Sequence, residues 1–208
     1  MTRAGIQRAL KRLGFDDAWI RYRGGSYATA ETIGPYKVEF EPQPSGDLQF
    51  IIWNPDTPCV TVYIHMESRT AVLNAVKYSP TCTIDGTMKR GEGTREMLAV
   101  AFDLAKTRGA ERIQLQDEST ITCESGETIK LGPFSFIRTG LTWYERHFGF
   151  KPTPEFQEDY AVAKQLRTRL PLTDLRAKPC SYFDRKTTAR LLRELELDFG
   201  EIVWEKSL

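Results

Sequence analysis

The sequence predicts an α/β protein, with a twisted mixed sheet flanked by helices and an extra helical segment at the C-terminus. Period-two runs fill much of the first half of the chain and predict strands. From Thr94 to Arg108 the apolar residues recur with helical period, and "ERIQLQ", residues 111–116, returns to period two. Because a connection of strand, helix and strand is right-handed, this order predicts a local parallel pair in the sheet.

The N-terminal stretch "MTRAGIQRALKRLGFDD" predicts an amphipathic surface helix. Its apolar face carries Ile6, Ala9, Leu10 and Leu13. Its arginine content is also typical of a transit peptide, which is the alternative interpretation. A glycine-containing loop is expected next, around "RGGSYATAETIGP", residues 23–35.

Four β-rich runs then predict an antiparallel meander. They are "YKVEFEP", "DLQFIIWNP", "CVTVYIHM" and "TAVLNAVKY", separated by turn-forming residues. "TCTID", residues 81–85, is either a fifth short strand or part of the connection that follows.

The helix over Thr94 to Arg108 is expected to bury one stripe of side chains and to end at Gly109. The stripe consists of Met97, Leu98, Ala101, Phe102, Leu104 and Ala105. Residues 119–139 are compatible with a hairpin, with breaks at Gly126 and at Gly132 to Pro133. Beyond them the sequence predicts a short helix in "GLTWYERHFGFKPTP", helices over residues 154–170 and 184–200, and a closing strand "EIVWE".

Size and charge limit the possible functions. The 208 residues, with a hydrophobic content of 40%, are enough for one elaborated domain over residues 1–208, with a core over 36–152 and a C-terminal extension over 153–208. The 29 Lys+Arg nearly balance the 28 Asp+Glu. No global field therefore recruits nucleic acid, an anionic membrane or an acidic substrate.

The four cysteines predict a reducing environment. They are far apart in sequence, form no CxxC pair and are accompanied by only two histidines, so neither a zinc site nor a disulfide framework is expected.

No apolar run approaches the roughly 20 residues that span a bilayer. We expect a soluble, intracellular protein in the cytoplasm.

The glycine-rich turn "KRGEGTREM" opens the central helix. It lacks the lysine and Ser/Thr of a Walker loop and the GxGxxG spacing of a dinucleotide site, so both of these nucleotide sites are set aside. Two interpretations remain open. Backbone N–H groups freed by Gly91 and Gly93 at the positive end of the helix suit a pyrophosphate, or the glycines serve only the geometry of the turn.

"RGEGTREML" followed by "AKTRGAERIQL" resembles the acetyl-CoA signature of GNAT-type N-acetyltransferases. Arg90 and Gly93 match that pattern and Arg95 departs from it. "WYERHFGF" is similar to the tyrosine-containing element of the family, with one extra residue before Gly149. The resemblance covers Arg90 to about Phe150, while the last fifty or so residues and an insertion of about 20 residues before the tyrosine helix do not match.

The resemblance implies a GNAT-like fold and acetyl-CoA-dependent N-acetylation of an unidentified amine. It places the cofactor pyrophosphate on the turn, whose residues are Arg90, Gly91, Glu92, Gly93, Thr94 and Arg95. Tyr144 matches the tyrosine that acts as the general acid in this family. A phenol can pass a proton to a departing thiolate at modest cost. A packed core aromatic is the alternative for Tyr144.

The general base is expected to be a carboxylate at the point where the sheet would open. Asp117 and Glu118 follow the predicted strand and are the candidates, with Glu67 and Asp85 as less favoured ones. Their alternative is an ordinary solvated turn. Cys123 has no basic neighbour in sequence that would make it a nucleophile.

A second function class is a non-catalytic protein that keeps the fold as a scaffold. Arg95 and the unmatched C-terminus favour it, and "QDES" and "LTWYERHFGF" also resemble acetyltransferase-like proteins encoded by large DNA viruses. In that case the inserted segment and the C-terminal helices would contact protein partners, for example in a virus particle. Neither class calls for a metal, nucleic acid or membrane.

Overall fold

A computed structural model describes residues 19–23, 26–54, 56–76, 82, 92–126, 128–169, 180 and 198–208. The chain divides into two compact units. The first comprises Met1–Gln114 with Ser207–Leu208, and the second comprises Leu115–Lys206.

The first unit is built on a mostly antiparallel sheet. Its strands are β1 Trp19–Arg23, β2 Ser26–Ile33, β3 Tyr36–Pro42, β4 Leu48–Trp53, β5 Pro58–His65, β6 Thr70–Val76 and β7 Arg112–Gln116, which continues into the second unit. Neighbouring strands from β1 to β6 are antiparallel. β6 pairs in parallel with β7, from Thr70 opposite Arg112 to Val72 opposite Gln114. The predicted meander and the predicted parallel pair are both confirmed.

The prediction of a loop over residues 23–35 is wrong for most of that stretch. β2 occupies this stretch and pairs with β3. Thr29, Glu31 and Ile33 alternate along β2 opposite the buried residues of β3, so the strand follows the period of the sheet. The glycine and serine residues concealed this alternation because they are typical of turns. The predicted N-terminal helix lies outside the described residues.

Helix α1, Glu92–Thr107, confirms the predicted central helix and begins two residues earlier. Every residue of the predicted stripe is buried. The helix ends at Gly109, whose φ of +96° glycine tolerates without strain. There the N–H of Gly109 donates to Lys106 O and that of Ala110 donates to Ala105 O, each at 3.0 Å.

The end of α1 is joined to the sheet of the first unit by a buried cation. Arg108 Nη2 donates to Glu31 Oε1 at 2.9 Å, and its guanidinium lies 4.9 Å from the ring centroid of Phe40. Phe40 in turn packs against Phe50, with ring centroids 5.8 Å apart. The ion pair and the aromatic contact therefore link the helix to the sheet that it covers.

The second unit contains shorter elements. They are β8 Thr120–Thr122, β9 Thr128–Lys130, α2 Leu131–Thr139, α3 Trp143–Phe148, β10 Lys151–Pro152, a 3-10 turn Pro154–Phe156, α4 Gln157–Arg167 and β11 Val203–Ser207. β8 and β9 form the predicted hairpin, and β10 pairs with β11 in antiparallel orientation. The closing strand predicted from "EIVWE" is confirmed as β11.

Helix α2 replaces the break expected at Gly132 to Pro133. Both residues lie in the first turn of the helix, where the missing N–H of a proline removes no intrahelical hydrogen bond. The helix buries Phe134, Phe136 and Ile137, so packing rather than local propensity determines it.

The short helix α3 and the longer helix α4 confirm two further predictions. Thr142 and Glu145 form a capping box at the start of α3, and Gly149, with φ +72°, ends it. The helix predicted over residues 184–200 lies outside the described residues except for its last three. One of these, Phe199, packs on Phe136 with ring centroids 4.9 Å apart.

The four cysteines form two disulfides, so the expectation that they would not pair is wrong. Cys59 bonds to Cys82 and Cys123 bonds to Cys180, and the Cα atoms are 5.6 Å apart in each pair. The folded chain brings together cysteines that are 23 and 57 residues apart, which sequence spacing does not reveal. The two disulfides therefore remove the reason for expecting a reducing compartment.

No helix among the described residues has both the length and the apolar character needed to cross a membrane.

Candidate functional site

The predicted cofactor turn is only partly described. Arg90 and Gly91 lie outside the described residues, while Glu92 is the first residue of α1. Gly93 is buried and Thr94 is half-buried in the first turn of the helix. The four described residues of the predicted turn, from Glu92 to Arg95, therefore form the N-terminal turn of a helix.

Arg95 is exposed in the first turn of α1. Across the described part of the chain it has no hydrogen bond or ion pair. A cation at this end of a helix is unfavourable because it meets the positive end of the macrodipole. Among the described residues no carboxylate offsets this cost.

Asp117 directly follows β7 and is only 4% exposed. Its Oδ1 accepts hydrogen bonds from the backbone N–H of Ser119, at 3.2 Å, and from the Ser119 hydroxyl. Its Oδ2 is buried and has no hydrogen-bond partner among the residues that the structure describes. A Cβ added to Gly132 would lie 2.8 Å from Oδ2, so a larger residue at position 132 would require the carboxyl group or α2 to shift.

Burial raises the pKa of Asp117 above its ordinary value, although the two hydrogen bonds from Ser119 act in the opposite direction. Because the desolvation of the carboxylate outweighs these bonds, Asp117 takes up a proton more readily than an exposed aspartate. This is the direction of shift that favours a general base.

The other predicted carboxylates are in different surroundings. Glu118 is exposed, and its backbone N–H donates to Gln116 O at 3.2 Å. Glu67 is exposed in the turn after β5, and Asp85 lies outside the described residues. Among the candidate bases, Asp117 is therefore the one that the described structure places in a buried environment.

Tyr144 lies in the first turn of α3 and is 8% exposed. Its ring contacts Trp143, at 5.1 Å between centroids, and Phe150, at 5.8 Å. Within the described residues its hydroxyl has no hydrogen-bond partner. Burial, and secondarily the negative charge of Asp117, raise the pKa of Tyr144 above its ordinary value, so the phenol stays protonated at neutral pH.

Asp117 and Tyr144 both lie in the second unit, and the negative charge of Asp117 contributes to the raised pKa of Tyr144. One buried group is suited to accept a proton and the other to hold one. Within the described residues no cluster of His, Cys, Asp or Glu could hold a metal ion.

Sequence reasoning missed Ser119 and Gly132. Ser119 is exposed yet donates to the buried Asp117, and Gly132 makes room for the carboxyl group. The Asp-x-Ser spacing was a usable signal, because a serine two residues after an aspartate often bonds to its side chain. Nothing in the sequence pairs Gly132 with Asp117.

Comparison with known proteins finds no matching family model, no matching curated protein and no matching solved structure.

Proposed function

We propose that this protein is a GNAT-like enzyme that transfers the acetyl group of acetyl-CoA to an amine. The observation that carries the proposal is that Asp117 and Tyr144 are two buried titratable groups in one unit, where the charge of Asp117 raises the pKa of Tyr144. The family motifs assign an acid to Tyr144, and its retained proton supports that role. The α/β architecture, with a parallel pair after the meander, is compatible with the family.

The cofactor would be held by its phosphates at the first turn of α1. Acetyl-CoA would supply an activated acyl group, as a thioester that the nitrogen of an amine attacks. Gly93 is buried and the exposed Arg95 has no partner among the described residues, so a phosphate oxygen would offset the unfavourable position of this cation.

Asp117 and Ser119 would remove the proton of the amine. Because Asp117 Oδ2 is buried, a substrate does not reach it directly. The exposed Ser119 hydroxyl, which donates to Oδ1, can pass its proton inward while it receives one from the amine. The amine nitrogen then carries the lone pair that forms the C–N bond as the C–S bond breaks.

Tyr144 would return a proton to the departing thiolate. Its raised pKa opposes this step, because a weaker acid gives up its proton at greater cost. Part of that shift comes from the charge of Asp117. Once Asp117 has been protonated this contribution disappears, so acceptance of the first proton makes donation of the second easier.

The proposal is tested first by binding. At a concentration of a hundred times its Kd, acetyl-CoA adds about 2.7 kcal/mol of apparent stability, which a thermal unfolding scan detects. Arg95→Ala should reduce this shift, whereas Lys106→Ala, an exposed cation in the last turn of the same helix, should not. Release of free CoA thiol with a panel of amines then measures turnover. No shift with millimolar acetyl-CoA rejects the proposal.

The second candidate is a non-catalytic component of a larger assembly, such as a virus particle. The two disulfides favour it, since disulfides persist in oxidising environments that include virion surfaces. Absence of both acetyl-CoA binding and turnover would support this candidate more strongly than acetyl-CoA binding without turnover.

A further inference from the structure

Glu145, the residue after Tyr144, is the centre of a polar network in the second unit. Its Oε2 accepts the backbone N–H of Thr142 at 3.1 Å and the hydroxyl of Tyr160, while its Oε1 accepts Lys164 Nζ at 2.9 Å. Thr142 belongs to the start of α3, and the other two donors belong to α4. One carboxylate therefore ties the two helices together.

The network lies at the edge of the core of the second unit. The side chain of Glu145 is 13% exposed and that of Lys164 is 41% exposed, so the ion pair lies at the edge of the core. The Tyr160 ring is buried and packs edge-on against Trp204, with centroids 5.1 Å apart. A half-buried carboxylate with three donors fixes geometry more firmly than a fully exposed ion pair, because solvent competes less for its partners.

The Tyr144 side chain has no polar anchor of its own among the described residues. Its hydroxyl makes no hydrogen bond to any described residue, so only ring packing and the backbone of α3 hold it. Helix α3 has six residues, which is too short to be stable without tertiary contacts. Through Glu145, α3 gains a direct polar connection to α4.

We infer that Glu145 is a positioning residue for Tyr144, holding α3 against α4 so that the Tyr144 hydroxyl keeps a single orientation. The catalytic consequence rests on the proposed function, whereas the orientation itself does not. A misplacement of about 1 Å in a catalytic group costs on the order of 10²-fold in rate. Glu145 would therefore act on the reaction without touching a substrate.

The test uses the full chain labelled with 3-fluorotyrosine and observed by fluorine NMR. The Tyr144 resonance is identified by its disappearance in Tyr144→Phe. Glu145→Gln keeps the size of the side chain and weakens the bonds to α4, and Tyr160→Phe removes one donor only. Both should shift or broaden the Tyr144 resonance. The matched control Glu158→Gln removes an exposed carboxylate from the first turn of α4 and should leave the resonance unchanged.

The outcomes separate this inference from the proposed function. If either variant loses thermal stability while the Tyr144 resonance stays unchanged, Glu145 is only a structural clamp and the inference is wrong. If Glu145→Gln does not fold, Tyr160→Phe decides. Where turnover is measurable, kcat of the Glu145→Gln variant should fall about 10- to 100-fold, while its KM for acetyl-CoA stays unchanged. Absent turnover rejects the proposed function, while the resonance still decides the role of Glu145.

Discussion

The Tyr144 hydroxyl makes no hydrogen bond among the described residues, so removing it should leave the fold nearly unchanged. Tyr144→Phe keeps the aromatic contacts with Trp143 and Phe150 and removes the proton donor. We expect turnover to fall by roughly 10²- to 10⁴-fold with little change in melting temperature. Tyr63→Phe, at a half-buried position on β5, is the matched control. Equal turnover in Tyr144→Phe and the wild type would show that the phenol is a packing residue.

Asp47 gives the first unit a stability that depends on pH. Its Oδ1 accepts the backbone N–H of Met66 at 3.1 Å, and its Oδ2 accepts the Ser45 hydroxyl at 3.0 Å and lies 3.3 Å from His65 Nδ1. The Met66 N–H, assisted by Ser45 and His65, lowers the pKa of Asp47 below its ordinary value. The carboxylate therefore joins the turn after β3 to the turn after β5.

A lowered pKa in the folded state stabilises the protein above the unfolded pKa, about 3.9, and this stabilisation is lost as pH falls through the folded pKa. Asp47→Asn should thus be less stable than the wild type at pH 7, and the difference should shrink towards pH 2. Urea unfolding at several pH values measures it. Asp103→Asn, an exposed position on α1, should show no such trend. A constant difference for Asp47→Asn would contradict the assignment.

At the scale of elements, local signals account for the parts of the structure that were predicted correctly. α1 has a complete apolar stripe and a glycine stop, and α3 begins with the Thr142 capping box. Such elements can be predicted from sequence because residues close in sequence determine where they begin and end. β2 and α2 were missed because packing against other elements overrides their glycine, serine and proline residues.

The candidate site was predicted in residue type but not in environment. Acidic residues after β7 and a tyrosine in α3 follow from motif order, and both occur where expected. Burial of Asp117 depends on Gly132 in α2, a helix that the sequence did not predict. A raised pKa is a property of the assembled core, so it was not accessible from residue order.

Gly132 supplies a test of this packing at the junction of α2 with Asp117. Gly132→Ala would place a Cβ 2.8 Å from Asp117 Oδ2, which is closer than real Cβ contacts allow. We expect a loss of about 1–3 kcal/mol, although alanine is a better helix former than glycine. Asp117→Ala removes the obstructing oxygen. In that background Gly132→Ala should cost little or be stabilising, and an equal cost in both backgrounds, measured by urea unfolding, would rule out the clash.

At the scale of the whole molecule, the covalent links were the least predictable feature. The distance along the chain between paired cysteines is large, and pairing depends on Cα atoms meeting at 5.6 Å in the folded chain. The two links differ in surroundings. Cys59 and Cys82 are 1% and 2% exposed, whereas Cys180 is exposed and Cys123 is half-buried.

This difference predicts stepwise reduction of the native protein. A reductant reaches the Cys123–Cys180 bond from solvent, while attack on the buried Cys59–Cys82 bond requires the first unit to open. Under mild reduction and alkylation, peptide mapping by mass spectrometry should find Cys123 and Cys180 modified first. Cys59 and Cys82 should follow at a rate that rises with urea.

Paired serine variants provide the control. Cys123→Ser with Cys180→Ser should abolish the fast phase and leave the slow one, with a loss of about 2–4 kcal/mol in stability. Cys59→Ser with Cys82→Ser should remove the slow phase and cost a similar amount. If all four cysteines react at the same rate in the wild type, the folded first unit does not protect the Cys59–Cys82 disulfide.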